Sequence, residues 1–88
     1  MKTIFKESFL RDIRKIRDKS LKDKLAEIID FIEESKSLNQ ISGLKKLKGH
    51  KHFYRIRIGD YRIGLSIENE TISFVAIDHR KDIYKKFP

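Results

Sequence analysis

Apolar residues recur at helical spacing through the first third of the chain. Two stripes with intervals of mostly three or four residues stand out: Phe5, Phe9, Ile13 and Ile16, then Leu21, Leu25, Ile28, Ile29 and Ile32. Charged side chains fill the positions between them, which predicts two amphipathic helices. Ser20 and Asp23 resemble a capping box at the start of the second helix, which ends near Glu34. A tight turn between the helices predicts an antiparallel hairpin that covers another layer, and residues 3–5 (Thr-Ile-Phe) predict a short first strand.

The second half of the chain alternates apolar and polar residues, the period of a half-buried strand. Two alternating runs, residues 54–58 and 61–67, are separated only by Gly59 and Asp60, which predicts a β-hairpin with a type II′ turn. A third run follows at residues 71–78. The register that keeps its apolar side chains together has three pairs, Ile67–Ile72, Leu65–Phe74 and Ile63–Ala76. The two halves together predict an α+β fold, with residues 80–87 as a turn or short helix.

The predicted hairpin register brings like charges together. With Gly59 and Asp60 as the loop, Arg57 lies opposite Arg62, and Arg55 shares their face of the sheet. Opposed like charges destabilise a sheet by a few tenths to about 1 kcal/mol, and no carboxylate of either strand lies on that face. Each arginine alone fits an ordinary solvated strand face. Three that meet by register favour an anion-binding surface, and the small Gly64 and Ser66 are expected to leave it open.

Other basic groups flank this surface. Strict alternation along the third strand carries Val75 and Ile77 onto the arginine side and points His79 toward the arginines, although an ordinary exposed histidine is the alternative. Four lysines precede the hairpin, which are Lys45, Lys46, Lys48 and Lys51. Either they extend the same basic surface, or they form only a solvated loop.

Composition narrows the class of partner. The 88 residues, of which 39% are hydrophobic, suit one small domain with a thin core. The net charge of +8 is unevenly spread, because residues 43–65 hold 7 basic and 1 acidic residues, against 10 and 8 before them and 4 and 4 after them. A basic surplus in one quarter of the chain predicts a surface for a polyanion, and nucleic acid is the first candidate.

The absence of cysteine excludes a disulfide scaffold, a thiolate zinc site and a cysteine nucleophile, and it favours a reducing cytoplasm. The longest apolar run, residues 74–77, is too short for a membrane span or a signal-peptide core, so neither insertion nor export is expected. His50 and His52 could offer two imidazoles to a metal ion, but no third ligand is evident. No metal site is therefore predicted.

Four segments of the chain resemble one protein family, the RelE branch of the RelE/ParE toxin superfamily of toxin-antitoxin proteins. The segments are LKG at residues 47–49, YRIR at residues 54–57, GDYR at residues 59–62 and HRKDIY at residues 79–84. The order strand, two helices, three strands and short tail is also that family's architecture. The resemblance covers the full chain and implies a single RelE-like toxin domain over residues 1–88.

The resemblance implies a ribosome-dependent endoribonuclease that cuts mRNA and is silenced by a cognate antitoxin. Such enzymes use the 2′-hydroxyl of the RNA as nucleophile, so neither a metal nor another cofactor is expected. Carried over by position, the phosphate-binding and transition-state cations are Arg55, Arg57 and Arg62, with Arg80 as a further basic group and Tyr84 as the terminal tyrosine. The best-known member has lysines in place of Arg55 and Arg57, and arginine stays protonated in proteins. The general base is then His79 or Tyr84, or the protein performs this proton transfer poorly.

Two other classes of function remain open. A ParE-like toxin shares the fold but inhibits DNA gyrase without cutting nucleic acid, and a non-catalytic RNA-binding module would also use a basic face. The arginines together with His79 and Tyr84 favour cleavage, because a gyrase inhibitor has no need for that set.

Overall fold

A computed structural model describes all 88 residues of the chain. Two helices and five strands form in the order β1 (Lys2–Phe5), α1 (Glu7–Lys15), α2 (Lys19–Glu34), β2 (Leu44–Lys46), β3 (Phe53–Ile58), β4 (Tyr61–Glu68) and β5 (Thr71–His79). Single 3₁₀ turns occupy Leu38–Gln40 and Ile83–Lys85. The strands form one sheet in the order β1-β5-β4-β3-β2, in which β1 runs parallel to β5 and every other pair is antiparallel. The predicted α+β architecture is confirmed.

The helix boundaries differ from the sequence prediction at two points. Phe5 belongs to β1, where its ring stacks on Phe74 with centroids 5.1 Å apart, so α1 begins after it. The cap of α2 is Asp18 rather than Ser20, since the Asp18 carboxylate accepts a hydrogen bond of 3.2 Å from the amide of Leu21. The aspartate cap satisfies a free amide of the first turn, as a serine cap does, and its charge also suits the positive end of the helix.

The β3–β4 hairpin has the predicted register. Arg57 is paired with Arg62, and Arg55 with Gly64. The φ of +61° at Gly59 matches the first central position of a type II′ turn, which favours glycine. Strand β2 was not predicted. It spans three residues and pairs with β3, too short a stretch for its alternation to be visible in the sequence.

A β-bulge interrupts the pairing of β4 with β5. Leu65 pairs with Phe74 as predicted, but Gly64 pairs with Ala76, so Val75 is an extra residue on β5. The predicted pair of Ile63 with Ala76 is therefore wrong, because Ile63 pairs with Ile77. An extra residue reverses the alternation beyond it, so every later side chain of β5 lies on the face opposite to the predicted one.

The sheet carries apolar clusters on both of its faces. The larger cluster lies between the helices and the sheet and includes Phe9, Leu25, Ile32, Ile63, Leu65 and Phe74. On the opposite face, Ala76 packs with Ile83 and Phe87, which come from the C-terminal tail (residues 80–88). A side chain on Gly64 would place its Cβ 2.7 Å from the ring of Phe87. The expectation that Gly64 leaves this face open is thus wrong, since the tail occupies the space.

Helix α1 completes the edge of β5 where β1 ends. The Ser8 hydroxyl donates to the carbonyl oxygen of Val75, and the Asp12 carboxylate accepts from the amide of Ile77 at 3.0 Å. These bonds satisfy backbone groups that β1 is too short to reach. Neither helix is long and apolar enough to cross a membrane.

Candidate functional site

The arginine face is the surface formed by Lys45, Arg55, Arg57 and Arg62 on the side of the sheet away from the helices. Lys45 of β2 pairs with Arg55 of β3, and Arg57 pairs with Arg62 of β4, so cations from three adjacent strands meet. Arg55 and Arg62 are half-buried, whereas Lys45 and Arg57 are exposed. Neighbouring strands lie about 4.8 Å apart, so these positively charged side chains lie side by side on one face of the sheet.

The turn of the hairpin holds the guanidinium of Arg62 in place. Its Nη1 donates to the carbonyl oxygens of Gly59 at 3.0 Å and of Tyr61 at 2.9 Å. Burial lowers the pKa of Arg62 below its usual value, and the positive charges of Arg57 and Arg55 lower it further. A lowered pKa means that the surroundings disfavour the charged form of Arg62. A bound anion would stabilise that charged form.

No carboxylate compensates these arginines. The ion pairs of the molecule join lysines or His52 to acidic residues, and none of them involves an arginine. Asp78 lies opposite Arg62 in the β4–β5 register, but its carboxylate binds Lys86 at 3.0 Å. The arginine face therefore keeps its full positive charge.

The C-terminal tail brings Arg80 and Tyr84 to this surface. The amide of Arg80 donates to the carbonyl oxygen of Asp60 at 2.7 Å, which ties the tail to the hairpin turn. Ile83 and Phe87 are buried on the sheet, while Tyr84 between them is 51% exposed. The Phe87 ring lies over Gly64, two residues after Arg62 on β4, so the tail that carries Arg80 and Tyr84 packs on the face of the sheet that holds Arg55, Arg57 and Arg62.

His79 does not lie on the arginine face, and the prediction that it does is wrong. The bulge at Val75 turns His79 to the helix side, opposite Tyr61, with the two rings edge-on at 5.7 Å. Its Nδ1 accepts a hydrogen bond of 3.2 Å from the amide of Lys81. The surroundings of His79 match a residue that orders the start of the tail.

The four predicted lysines separate in the structure. Lys45 joins the arginine face, but Lys46 pairs with Tyr54 and so lies on the helix side of the sheet. Lys48 and Lys51 are exposed in the loop between β2 and β3. All four therefore remain available to an extended polyanion, but only Lys45 adjoins the arginines.

The histidines and acidic residues form no group of three that could hold a metal ion. His50 packs edge-on against Phe53, whereas His52 faces Glu68 at 3.5 Å, so the two imidazoles have separate surroundings.

Several residues that shape the site were not predicted from the sequence. Phe87 and Lys86 hold the tail on the sheet, and Gly64 provides the space for the Phe87 ring. A glycine inside a strand often marks the close approach of another group, and this signal could have identified Gly64. Lys86 has no comparable local signature, because one of its partners, Asp12, is 74 residues away in the chain.

Comparison with known proteins identifies relatives along the whole chain. The model of the family described as "ParE toxin of type II toxin-antitoxin system, parDE" matches residues 3–84. Toxin RelE3 of Methanocaldococcus jannaschii is 38% identical over 89 residues, which cover 100% of both chains.

Solved structures share the fold. A RelB-RelE antitoxin-toxin complex from Methanococcus jannaschii matches with a TM-score of 0.83 and 36% identity over 97% of this chain and 99% of that chain. An archaeal RelE-RelB complex from Pyrococcus horikoshii matches with a TM-score of 0.70 and 20% identity over 90% of this chain and 93% of that chain. At that lower identity the likeness is one of fold alone.

Proposed function

The chain belongs to the RelE branch of the RelE/ParE family of toxins from type II toxin-antitoxin systems, and from this membership we propose that it is a ribosome-dependent endoribonuclease that cleaves mRNA. The observation that carries the proposal is the uncompensated arginine face. Three strands contribute cations to it, no acidic partner neutralises an arginine, and the tail adds Arg80 and an exposed tyrosine. A site of this kind suits a phosphodiester whose charge increases during the reaction.

The chemistry requires no group beyond the RNA and the protein. The 2′-hydroxyl oxygen attacks the adjacent phosphorus, the bond from phosphorus to the 5′-oxygen breaks, and a 2′,3′-cyclic phosphate and a 5′-hydroxyl remain. The phosphorane between these states is dianionic. Arg55, Arg57 and Arg62 stabilise that charge, and the bonds from Arg62 to the turn hold its guanidinium ready before the substrate binds.

Two protons move during the reaction, and arginine cannot exchange them. Tyr84 is the candidate for proton transfer, because its side chain is exposed on the tail that packs over β4, and a phenol can both donate and accept. Its ring is also a stacking platform for a base. His79 is a weaker candidate for the base, since the bulge directs it to the other face. Electrostatic stabilisation by the arginines then supplies most of the rate.

The exposed lysines of the β2–β3 loop extend the proposed site, where they would bind backbone phosphates of the mRNA or of ribosomal RNA. Lys48 and Lys51 lie in the loop, outside the arginine face, and neither takes part in an ion pair. Side chains of this kind contribute affinity without base specificity, and their contribution weakens as salt rises.

A cognate antitoxin is the second partner that we propose. Structural relatives are RelB-RelE complexes, one of them 36% identical to this chain. With a net charge of +8, this chain favours an acidic or amphipathic antitoxin segment that covers the basic surface. Co-expression with such a partner should restore growth to cells that produce the toxin.

Inhibition of DNA gyrase is the alternative, because the matching family model is described as a ParE toxin. Induced expression in a bacterial host separates the two functions. A RelE-type nuclease stops translation and leaves cut mRNA, whereas a gyrase inhibitor induces DNA-damage signalling.

Two substitutions make the expression test specific. Arg57→Ala should abolish growth inhibition, while Arg11→Ala, which removes the same charge from the exposed side of α1, should leave it unchanged. If both variants lose toxicity equally, net charge rather than the arginine face is responsible.

A further inference from the structure

A three-membered ion cluster joins α1, β5 and the C-terminal tail. The Lys86 ammonium donates to the Asp12 carboxylate at 2.7 Å and lies 3.0 Å from the Asp78 carboxylate. The side chain of Asp12 is only 8% exposed, and those of Asp78 and Lys86 are 32% and 37% exposed. Partly buried ions that satisfy one another hold their positions better than surface pairs do.

Asp12 has a second bond that fixes its own position. One carboxylate oxygen binds Lys86, and the other accepts from the amide of Ile77 on β5. The carboxylate therefore connects the backbone of the sheet edge directly to the tail. Removal of Lys86 would leave a buried carboxylate with only one partner, which is costly.

The cluster lies close to the proposed site in two respects. Lys86 comes two residues after Tyr84 and directly before Phe87, whose ring fills the space over Gly64. Asp78 is the cross-strand partner of Arg62. The tail is thus anchored by an ion pair at Lys86 and by apolar packing at the adjacent Phe87, and Tyr84 precedes these two residues with only Lys85 between.

We propose that Lys86 is a positioning residue, which holds the tail, and with it Tyr84, against the strand that carries Arg62. The proposal rests on the proposed nuclease function for its effect on the rate, but its structural part does not. Lys86 does not touch the RNA; it acts through Tyr84. Lys86 also forms an ion pair with Asp78, which is the carboxylate that lies opposite Arg62 in the register of β4 and β5. This pairing keeps Asp78 from neutralising Arg62.

Lys86 and Asp78 keep their charges at neutral pH. Burial alone would lower the pKa of Lys86, but the hydrogen bonds to Asp12 and Asp78 raise it above its usual value. Burial alone would raise the pKa of Asp78, but the bonds from Lys86 and from the His79 amide lower it overall, with a smaller contribution from Lys15.

Lys86→Met tests the proposal, with Lys85→Met as the matched control. Lys85 is the preceding residue, its side chain is 79% exposed, and it has a single loose contact with Asp82 at 3.4 Å. Both variants lose one charge from the tail. In amide hydrogen exchange, Lys86→Met should speed exchange of the Phe87 amide, which is bonded to Ile83, at least about tenfold, while amides inside β4 keep their protection.

The kinetic measurement is single-turnover cleavage of mRNA on ribosomes. Misplacement of a reacting group by about 1 Å costs up to about 100-fold in rate, so Lys86→Met should lower the maximal rate by about 10- to 100-fold with little change in half-saturating ribosome concentration. Lys86→Arg, which can still bind both carboxylates, should restore most of the rate. In a Tyr84→Ala background, Lys86→Met should have less than about a twofold further effect, because the group that it positions is absent.

Three results would overturn the proposal: unchanged exchange at Phe87 in Lys86→Met, an equal rate loss in Lys85→Met, or a full additional loss in the Tyr84→Ala background. Failure of the proposed function has a different signature. In that case the wild-type protein does not cleave mRNA at all, while the exchange experiment still shows whether Lys86 holds the tail.

Discussion

Gly64→Ala is expected to destabilise the protein, although alanine is ordinarily preferred to glycine in a strand. The φ of Gly64 is not positive, so alanine can adopt its backbone conformation. The obstacle is space, because the new Cβ would lie 2.7 Å from two ring carbons of Phe87 and 2.8 Å from a third. The ring is 1% exposed and is held by Ile83 and Ala76, so it cannot retreat without leaving its site.

The size of the effect follows from two opposing contributions. Full burial of a phenylalanine side chain stabilises a protein by about 1.5–3 kcal/mol, which is lost if the ring leaves. Replacement of glycine by alanine inside a strand, taken alone, stabilises the folded state by about 0.5–1 kcal/mol. The net loss is about 1–2 kcal/mol, which for a domain of this size lowers Tm by roughly 5–15 °C.

A double-mutant cycle with Phe87→Ala isolates the contact. Urea unfolding followed by circular dichroism gives the free energy of unfolding for the wild type, both single variants and the double variant. Gly64→Ala should destabilise the wild-type background but stabilise the Phe87→Ala background by about 0.5 kcal/mol, because the space is then free. If the two substitutions are additive, or if Gly64→Ala stabilises the wild type, the Phe87 ring does not occupy the space over Gly64.

Further predictions concern charge and pH. Arg57→Ala should raise the free energy of unfolding by a few tenths to about 1 kcal/mol, because it relieves the repulsion from Arg62; a measured loss of stability would contradict this. Binding to ribosomes should weaken with salt, with a slope of log affinity against log salt of about −0.7 per phosphate contact, and a slope near zero would indicate a protein target. Protection of the tail in hydrogen exchange should stay constant from about pH 5 to pH 9. It should fall in acid, where Asp78, whose folded pKa lies below its usual 3.8, takes up a proton, and in strong base, where Lys86, whose folded pKa lies above 10.5, loses one. His79→Ala should keep the cleavage rate within about threefold of wild type with the same pH profile, and a loss of the profile would return His79 to the catalytic set.

The central pairing of the arginine face could be predicted from the sequence because a two-residue turn leaves only one register. Once Gly59 and Asp60 form the loop, Arg57 must lie opposite Arg62, and the structure has this pair. The apolar stripes likewise identified the helices, since their period follows from the geometry of one element.

The position of His79 could not be predicted in the same way. Residues 74–77 are all apolar, so the sequence shows no break in alternation where the bulge inserts Val75. A bulge depends on the pairing of two strands in space, and one inserted residue reverses every side chain that follows. The placement of Lys86 was hidden for a similar reason, because its partners come from α1 and β5 rather than from its own segment.

Cleavage of an mRNA bound to programmed ribosomes tests the central claim most directly. Purified wild-type protein, Arg57→Ala and Arg11→Ala would each be added in excess, and the ends of the RNA fragments would be identified. The proposed mechanism predicts fragments with a 2′,3′-cyclic phosphate and a 5′-hydroxyl, formed without added metal ions, from the wild type and Arg11→Ala but not from Arg57→Ala. Intact mRNA in the presence of the wild-type protein, or cleavage that Arg57→Ala leaves unchanged, would contradict the account.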